Sequence, residues 1–266
     1  MKIQLSNIRN SLILAAGLMG ACATSMAATV VVTPDSPLWG NPLSENRGGG
    51  SSAISTTMPN AGNGSLEMTG DRTRFVGLGD LYSPSSNLGL LDTVRELTYQ
   101  WAIAASSQAT LHPDYTPALR LHIFDGAQRS ELIWEGVYNG TYGNTTKGQF
   151  YNSGVNDNFY RFVSGPGVTL SNGAQVNQSI ADWANGTAWY SDAAYVSAIS
   201  VGVGSSAGSL YRAFADNVTL DINGVSTTYN FEAAAAAVPE PASAALIGLG
   251  LLGVAASRRK AARRGK

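Results

Sequence analysis

The chain has little of the chemistry from which metal and redox sites are built. Cys22 is its single cysteine, and His112 and His122 are its only histidines. No third nitrogen or thiolate joins that pair, so a zinc centre lacks its ligand set. Serine and aspartate, by contrast, are so frequent that no Ser-His-Asp triad stands out. Charged residues make up 13% of the chain, against a usual share of about 25%, which excludes a fold clad in charged surface helices. Long apolar runs are also missing: the longest, residues 242–257, stops at about 16 residues, short of the roughly 20 that a helix needs to cross the hydrocarbon of a bilayer.

What the chain has instead is concentrated at its ends. Lys2 and Arg9 precede an apolar core at 11–23, and Ser25-Met26-Ala27 supplies a small-x-small site. That order reads as a secretory signal peptide over 1–27, cut by signal peptidase between Ala27 and Ala28. An alternative uses Leu18-Met19-Gly20-Ala21-Cys22, which resembles a lipoprotein box and would give an outer-membrane lipoprotein lipidated at Cys22. Ordinary cleavage removes Cys22, so the mature protein would enter an oxidising compartment without a disulfide. Its stability must then come from burial and hydrogen bonds.

At the other end, an alanine spacer at 233–237 leads to Val238-Pro239-Glu240-Pro241, the apolar segment at 242–257, and a basic end with Arg258, Arg259, Lys260, Arg263 and Arg264. Proline disfavours helix in itself and in the residue before it, so the motif stays extended and open to a processing enzyme. Gly248, Gly250 and Gly253 each weaken a helix by about 1 kcal/mol relative to alanine. A short, weak transmembrane helix suits transient anchoring in the inner membrane. The basic flank stays cytoplasmic and leaves everything before it outside. This three-part tail over 238–266 resembles the PEP-CTERM sorting signal of exported bacterial proteins. The resemblance implies cleavage near the motif by an exosortase-type protease and delivery to the cell envelope, the extracellular matrix of a biofilm, or the medium.

Between these ends the balance of charge changes. Residues 28–238 carry nine Arg/Lys and seventeen Asp/Glu, a net charge of −8 that the two ends mask in the whole-chain value of −1. An acidic, lysine-poor body has no basic face for nucleic acid, which excludes that class of partner.

Period-2 alternation and turn residues predict an all-β body, an antiparallel β-sandwich. Leu97, Tyr99, Trp101 and Ile103 share one face of a strand, and Leu119, Leu121 and Ile123 repeat the pattern against Arg120 and His122. Further strands are expected over 131–138, 159–163, 195–203, 213–222 and 226–231, a strand pair near 53–58 and 65–68, and a short helix within 178–185. Asn223-Gly224, between two alternating runs, is a strong hairpin signal. Residues 28–52, with Gly48-Gly49-Gly50-Ser51-Ser52, read as a flexible arm before a sandwich over 53–232. Asn63-Gly64-Ser65-Leu66-Glu67, Ile199-Ser200-Val201-Gly202-Val203-Gly204-Ser205 and Phe214-Ala215-Asp216-Asn217-Val218-Thr219-Leu220 resemble segments of concanavalin-like jelly rolls. That resemblance implies a fold that often binds carbohydrate or calcium.

Three groups of body residues are candidates for chemistry. Glu131 and Glu135 would share one strand face about 13 Å apart at roughly 3.3 Å per residue, beyond the roughly 5–9.5 Å of glycosidase pairs. Ordinary solvated carboxylates are therefore expected. Asp216 and Asn217 offer oxygen ligands for a structural calcium, with Asp71 and Asp80 in loops as further candidate donors, and turn or ladder roles are the competing expectation. Trp134, Trp183, Trp189 and Tyr190 would contact glycan if their rings are exposed, and form core if they are not. The expectation is a non-enzymatic surface or matrix protein whose body is structural or touches extracellular polysaccharide. The alternative is a polysaccharide-active hydrolase or lyase on the same fold.

Overall fold

A computed structural model describes residues 27–39, 46–110, 112, 115–138, 145–163, 177–185, 189–205 and 207–233. Among these the chain forms β1 (Ala28–Val32), β2 (Ser51–Ser55), β3 (Ser65–Thr69), β4 (Thr73–Gly79), β5 (Gly89–Leu90), β6 (Glu96–Ile103), β7 (Ala118–Asp125) and β8 (Gln128–Trp134). It continues with β9 (Phe150–Asn152), β10 (Asn158–Val163), β11 (Asn177–Ser179), a single α-helix α1 (Ile180–Asn185), β12 (Tyr195–Val203), β13 (Arg212–Ile222) and β14 (Val225–Phe231), with a 3-10 turn over Leu91–Thr93 before β6. The body is all-β, as its alternation predicts. The predicted signal peptide, the sorting motif and the basic end lie outside the described residues. Among the described residues no helix is long and apolar enough to cross a membrane.

Two sheets of seven strands make up the body, consistent with a jelly-roll-like fold. In the first, β13 is the hub: β6 pairs along Ala213–Asp221, while β14 and β3 pair with its upper and lower halves. In the second, β12 is the hub, with β7 on one edge and β4 and β5 on the other. β7, β8, β10 and β11 then follow in order outward. Pairing is antiparallel except between β1 and β14, which run parallel. The β13–β14 hairpin, like β7–β8, closes through a two-residue loop. Asn223 and Gly224 both have positive φ, 55° and 73°, the left-handed pair that a two-residue hairpin loop requires.

Leu97, Tyr99, Trp101 and Ile103 of β6 and Leu119, Leu121 and Ile123 of β7 are buried in one core, where Trp101 and Trp134 meet with ring centroids 5.8 Å apart. Burial of such side chains is worth roughly 1.5–3 kcal/mol each, which a chain without disulfides needs.

Three expectations are corrected. The segment over 28–52 is not a free arm: β1 pairs with β14, and Trp39 is buried against Phe75, Tyr229 and Phe231. Residues 28–32 lack clean alternation because a sheet-edge strand buries little beyond Val32. The strand expected over 131–138 is instead Gln128–Trp134, since the chain turns where Tyr138 N–H closes on the Glu135 carbonyl at 2.9 Å. Glu131 and Glu135, expected to be solvated, are both almost completely buried.

Candidate functional site

The side chains that collect on one face of the second sheet follow from register. Across the β7–β8 hairpin His122 pairs with Glu131 and Arg120 with Ile133; across β8–β10, Ile133 pairs with Tyr160 and Glu131 with Phe162. Leu119, Leu121, Leu132 and Trp134 point into the sandwich, so Arg120, His122, Glu131, Ile133, Tyr160 and Phe162 share the opposite face. β12 adds Ser200 opposite Arg120, and β4 adds Arg74 opposite Gly202.

Glu131 is the centre of a closed network. Arg129 Nη2 donates to its Oε1 at 2.7 Å, and Arg74 Nη2 reaches its Oε2 at 3.5 Å. Arg129 is itself held, with Nε donating to the Leu81 carbonyl at 2.5 Å and its guanidinium lying 4.7 Å over the Tyr82 ring. Burial alone would raise the Glu131 carboxyl, but the neighbouring charges of Arg74, Arg120 and Arg129, with that of His122 whenever it is protonated, outweigh it and hold the group at about 2.

His122 is fully buried and stays neutral. Arg129 Nη2 is only a donor, so His122 Nδ1, 3.2 Å away, must accept. The ring proton then sits on Nε2, which donates to Ser200 Oγ at 2.8 Å. Burial, together with the nearby guanidiniums, pushes this imidazole well below its ordinary value, even though Glu131 pulls the other way.

Glu135, four residues on, is buried but not closed in. Tyr160 Oη donates to its Oε2 at 3.2 Å, while Oε1 has no hydrogen-bond partner. Burial raises its carboxyl, against the opposing pull of Arg120 and of the Tyr115 and Tyr160 hydroxyls. Arg120 is 5% exposed, yet its Nε and Nη1 have no acceptor; Nε stands 3.7 Å from Glu131 Oε2, too far for a hydrogen bond. Both groups line a cleft of about 380 Å³ with Tyr115, Tyr138, Tyr160 and Gly204 among its walls. Gly204 is required by close approach, because a Cβ there would lie 2.3 Å from the Tyr115 hydroxyl.

The other candidates fall elsewhere. Trp134 and Trp183 are fully buried core rings, each spending its indole N–H internally, on Asp157 Oδ2 and the Phe159 carbonyl at 2.9 Å. Neither presents a face to glycan, which corrects that expectation for both. Tyr190 is also buried, bonded to Ser130 at 2.9 Å, so it too is a packing residue; Trp189 remains 38% exposed. Tyr138, at 44% exposure, is the exposed aromatic among those that line the cleft.

Asp216 sits at a register shift between β13 and β6, with Asn217 in left-handed backbone at φ 46°. Its Oδ1 accepts the Asn217 and Phe231 N–H groups at 2.8 Å, the turn and ladder role. Burial pushes its carboxyl up to about 7. Asp71 accepts the Gly208 N–H and Asp80 the Tyr82 and Ser83 N–H groups. Among the described residues no three His, Cys, Asp or Glu side chains converge in a way that could hold a metal.

Gly204-Ser205-Ser206-Ala207-Gly208 has the letters of a Gly-x-Ser-x-Gly elbow. That motif needs a strand-to-helix turn, whereas this segment connects β12 to β13.

In comparisons with known proteins, no curated protein matches the chain. Residues 237–260 match the PEP-CTERM protein-sorting motif, over the same residues that carry the proline motif, the apolar segment and the start of the basic end. The chain therefore carries a PEP-CTERM sorting signal, which indicates an exported protein sorted to the cell surface through an exosortase.

Proposed function

We propose that the tail anchors the exported protein transiently before cleavage, and that the released body works at the surface or in the extracellular matrix by contacting saccharide through the cleft at Glu135. The observation that carries this reading is the make-up of that cleft. It combines an exposed ring, Tyr138, with a buried carboxyl, the buried Tyr115 and the half-buried Tyr160 in a space of about 380 Å³. Sugar rings offer an apolar face for stacking and a rim of hydroxyls for hydrogen bonds, so they match both parts. The test is a glycan array probed with mature protein and with Tyr138→Ala. Binding that weakens about tenfold in the variant supports the reading, and uniform non-binding rejects it.

Processing is tested separately, by mass spectrometry of the protein from its native host. The sorting model expects an N-terminus at Ala28 and loss of the basic end near Pro239. An intact arginine-rich C-terminus contradicts it, and a lipidated Cys22 favours the lipoprotein alternative.

One observation favours a second reading, a polysaccharide-active enzyme. Glu131 and Glu135 line one cleft with their protonation equilibria pushed in opposite directions, a pattern of acid and base pairs. Binding ranks first because Glu131 is clamped by guanidiniums, which occupy the lone pairs a nucleophile or base needs. Release of reducing or unsaturated ends from a bound polysaccharide, abolished in Glu135→Gln, would reverse the order.

A further inference from the structure

Arginines crowd the cleft in a body that is otherwise acidic. Of the nine Arg/Lys between residues 28 and 238, Arg72, Arg74 and Arg120 line the cleft, and Arg129 stands behind them on Glu131. Glu131 and Glu135 are the acids that line it. Glu131 is consumed by its guanidinium partners, and burial disfavours charge on Glu135. The local balance is positive, the reverse of the body as a whole.

Within that positive corner, Arg120 is the group left unfinished. Its guanidinium is almost fully buried, and Nε and Nη1 find no hydrogen-bond acceptor among the described residues. Glu131 stands at ion-pair distance, 3.7 Å from Nε, but a buried charged donor without a hydrogen-bond acceptor forfeits a charge-assisted hydrogen bond, among the strongest available to a side chain. Beside it, Glu135 Oε1 is likewise unmatched. A bare cation is excluded by the arginines. An inorganic anion alone would satisfy Arg120 but leave Glu135 and the exposed Tyr138 ring unused.

We propose that the cleft takes an anionic saccharide, its carboxylate or sulfate ester seated on Arg120 and a neighbouring ring hydroxyl on Glu135. The inference rests on the reading of the cleft as a saccharide site and adds the sign of its ligand. The shared chemistry is an oxyanion adjoining hydroxyls. Arg120 supplies the charge match, and Tyr138 and Tyr160 hold the ring.

The experiment titrates the mature protein with matched probes: oligogalactose, oligogalacturonate and 6-sulfated oligogalactose. The expected result is affinity for one or both anionic forms at least tenfold above the neutral one, and comparison of those two forms identifies the acidic group. Arg120→Gln should bring anionic and neutral forms to parity. Should that variant fail to fold, Arg72→Gln, at the partly exposed side of the cleft, should reduce the anionic preference severalfold. Equal binding of neutral and anionic forms overturns the inference while leaving the saccharide reading standing. Binding by none of the probes, alongside an array blank for every glycan, removes both. An anionic preference unchanged in every folded variant also overturns it, because the preference would then arise elsewhere on the protein.

Discussion

Glu131 and Glu135 lie four residues apart, face the same cleft and are equally hidden from water, yet their surroundings are opposite. Around Glu131 the register of four strands delivers Arg74, Arg120, Arg129 and His122, and the carboxylate is held ionised near 2. Around Glu135 the neighbours are mainly tyrosines, Oε1 is unmatched, and burial drives the carboxyl upward. The contrast separates two uses of a buried polar group. A network with its partners in place holds the sheet together, and the one with atoms left over is where the saccharide is proposed to bind.

The largest expected effect comes from breaking the closed side. Glu131→Gln strands buried guanidiniums without their counter-charge and should cost on the order of 3–5 kcal/mol in chemical denaturation. The wild type should also lose stability as the pH falls from about 4.5 to about 2. The folded carboxyl sits below its unfolded value, so its contribution is complete above 4.5 and vanishes on protonation. In Glu131→Gln that acid-side slope should flatten.

A third buried carboxyl, Asp216 in the other sheet, has the opposite sign. Its folded value of about 7 lies above the ordinary 3.8, so its contribution is present at acid pH and is lost as pH rises through that window. The loss should be on the order of 3 kcal/mol. Asp216→Asn should remove this slope in denaturation measured between pH 4 and 8. A calcium site there would instead show as a rise in Tm with added calcium that the variant lacks.

On the open side, Glu135→Gln should change stability at pH 7 by no more than about 1 kcal/mol, because an amide replaces a group whose charged form is already disfavoured. If it cost as much as Glu131→Gln, the distinction between the two corners would collapse. The smallest stability effect is expected for Tyr138→Ala, within about 0.5–1 kcal/mol, and its consequence should appear in saccharide binding instead.

Much of the fold was legible because strand alternation is local. Leu97 to Ile103 and Leu119 to Ile123 show their inner faces directly, and Asn223-Gly224 marks the last hairpin. The Asp125-Gly126 turn even contains the register that sets His122 opposite Glu131. β4 was missed because Gly77 and Gly79 interrupt its alternation, and β1 because an edge strand buries little. The site was harder to read for a physical reason. Alternation assigns Arg120, His122, Glu131 and Glu135 to the outside of the sheet, and in most sheets outside means solvated. Their burial depends on partners far away in sequence, such as Arg74 on β4 and Tyr160 on β10, and on Leu81 and Tyr82 laid across the face. The aromatic candidates failed similarly, since Trp134 and Trp183 cannot be told from exposed rings without the strands that cover them.

The central claim, that the Glu135–Arg120 corner binds and the Glu131 corner only supports, is tested most directly by hydrogen exchange of the mature protein with and without the anionic saccharide that binds it best. Slower exchange is expected in residues 115–120, 133–138 and 203–205, with little change around Trp189 and Tyr190. Protection centred on Trp189, or bound saccharide with no change at the cleft, would contradict it.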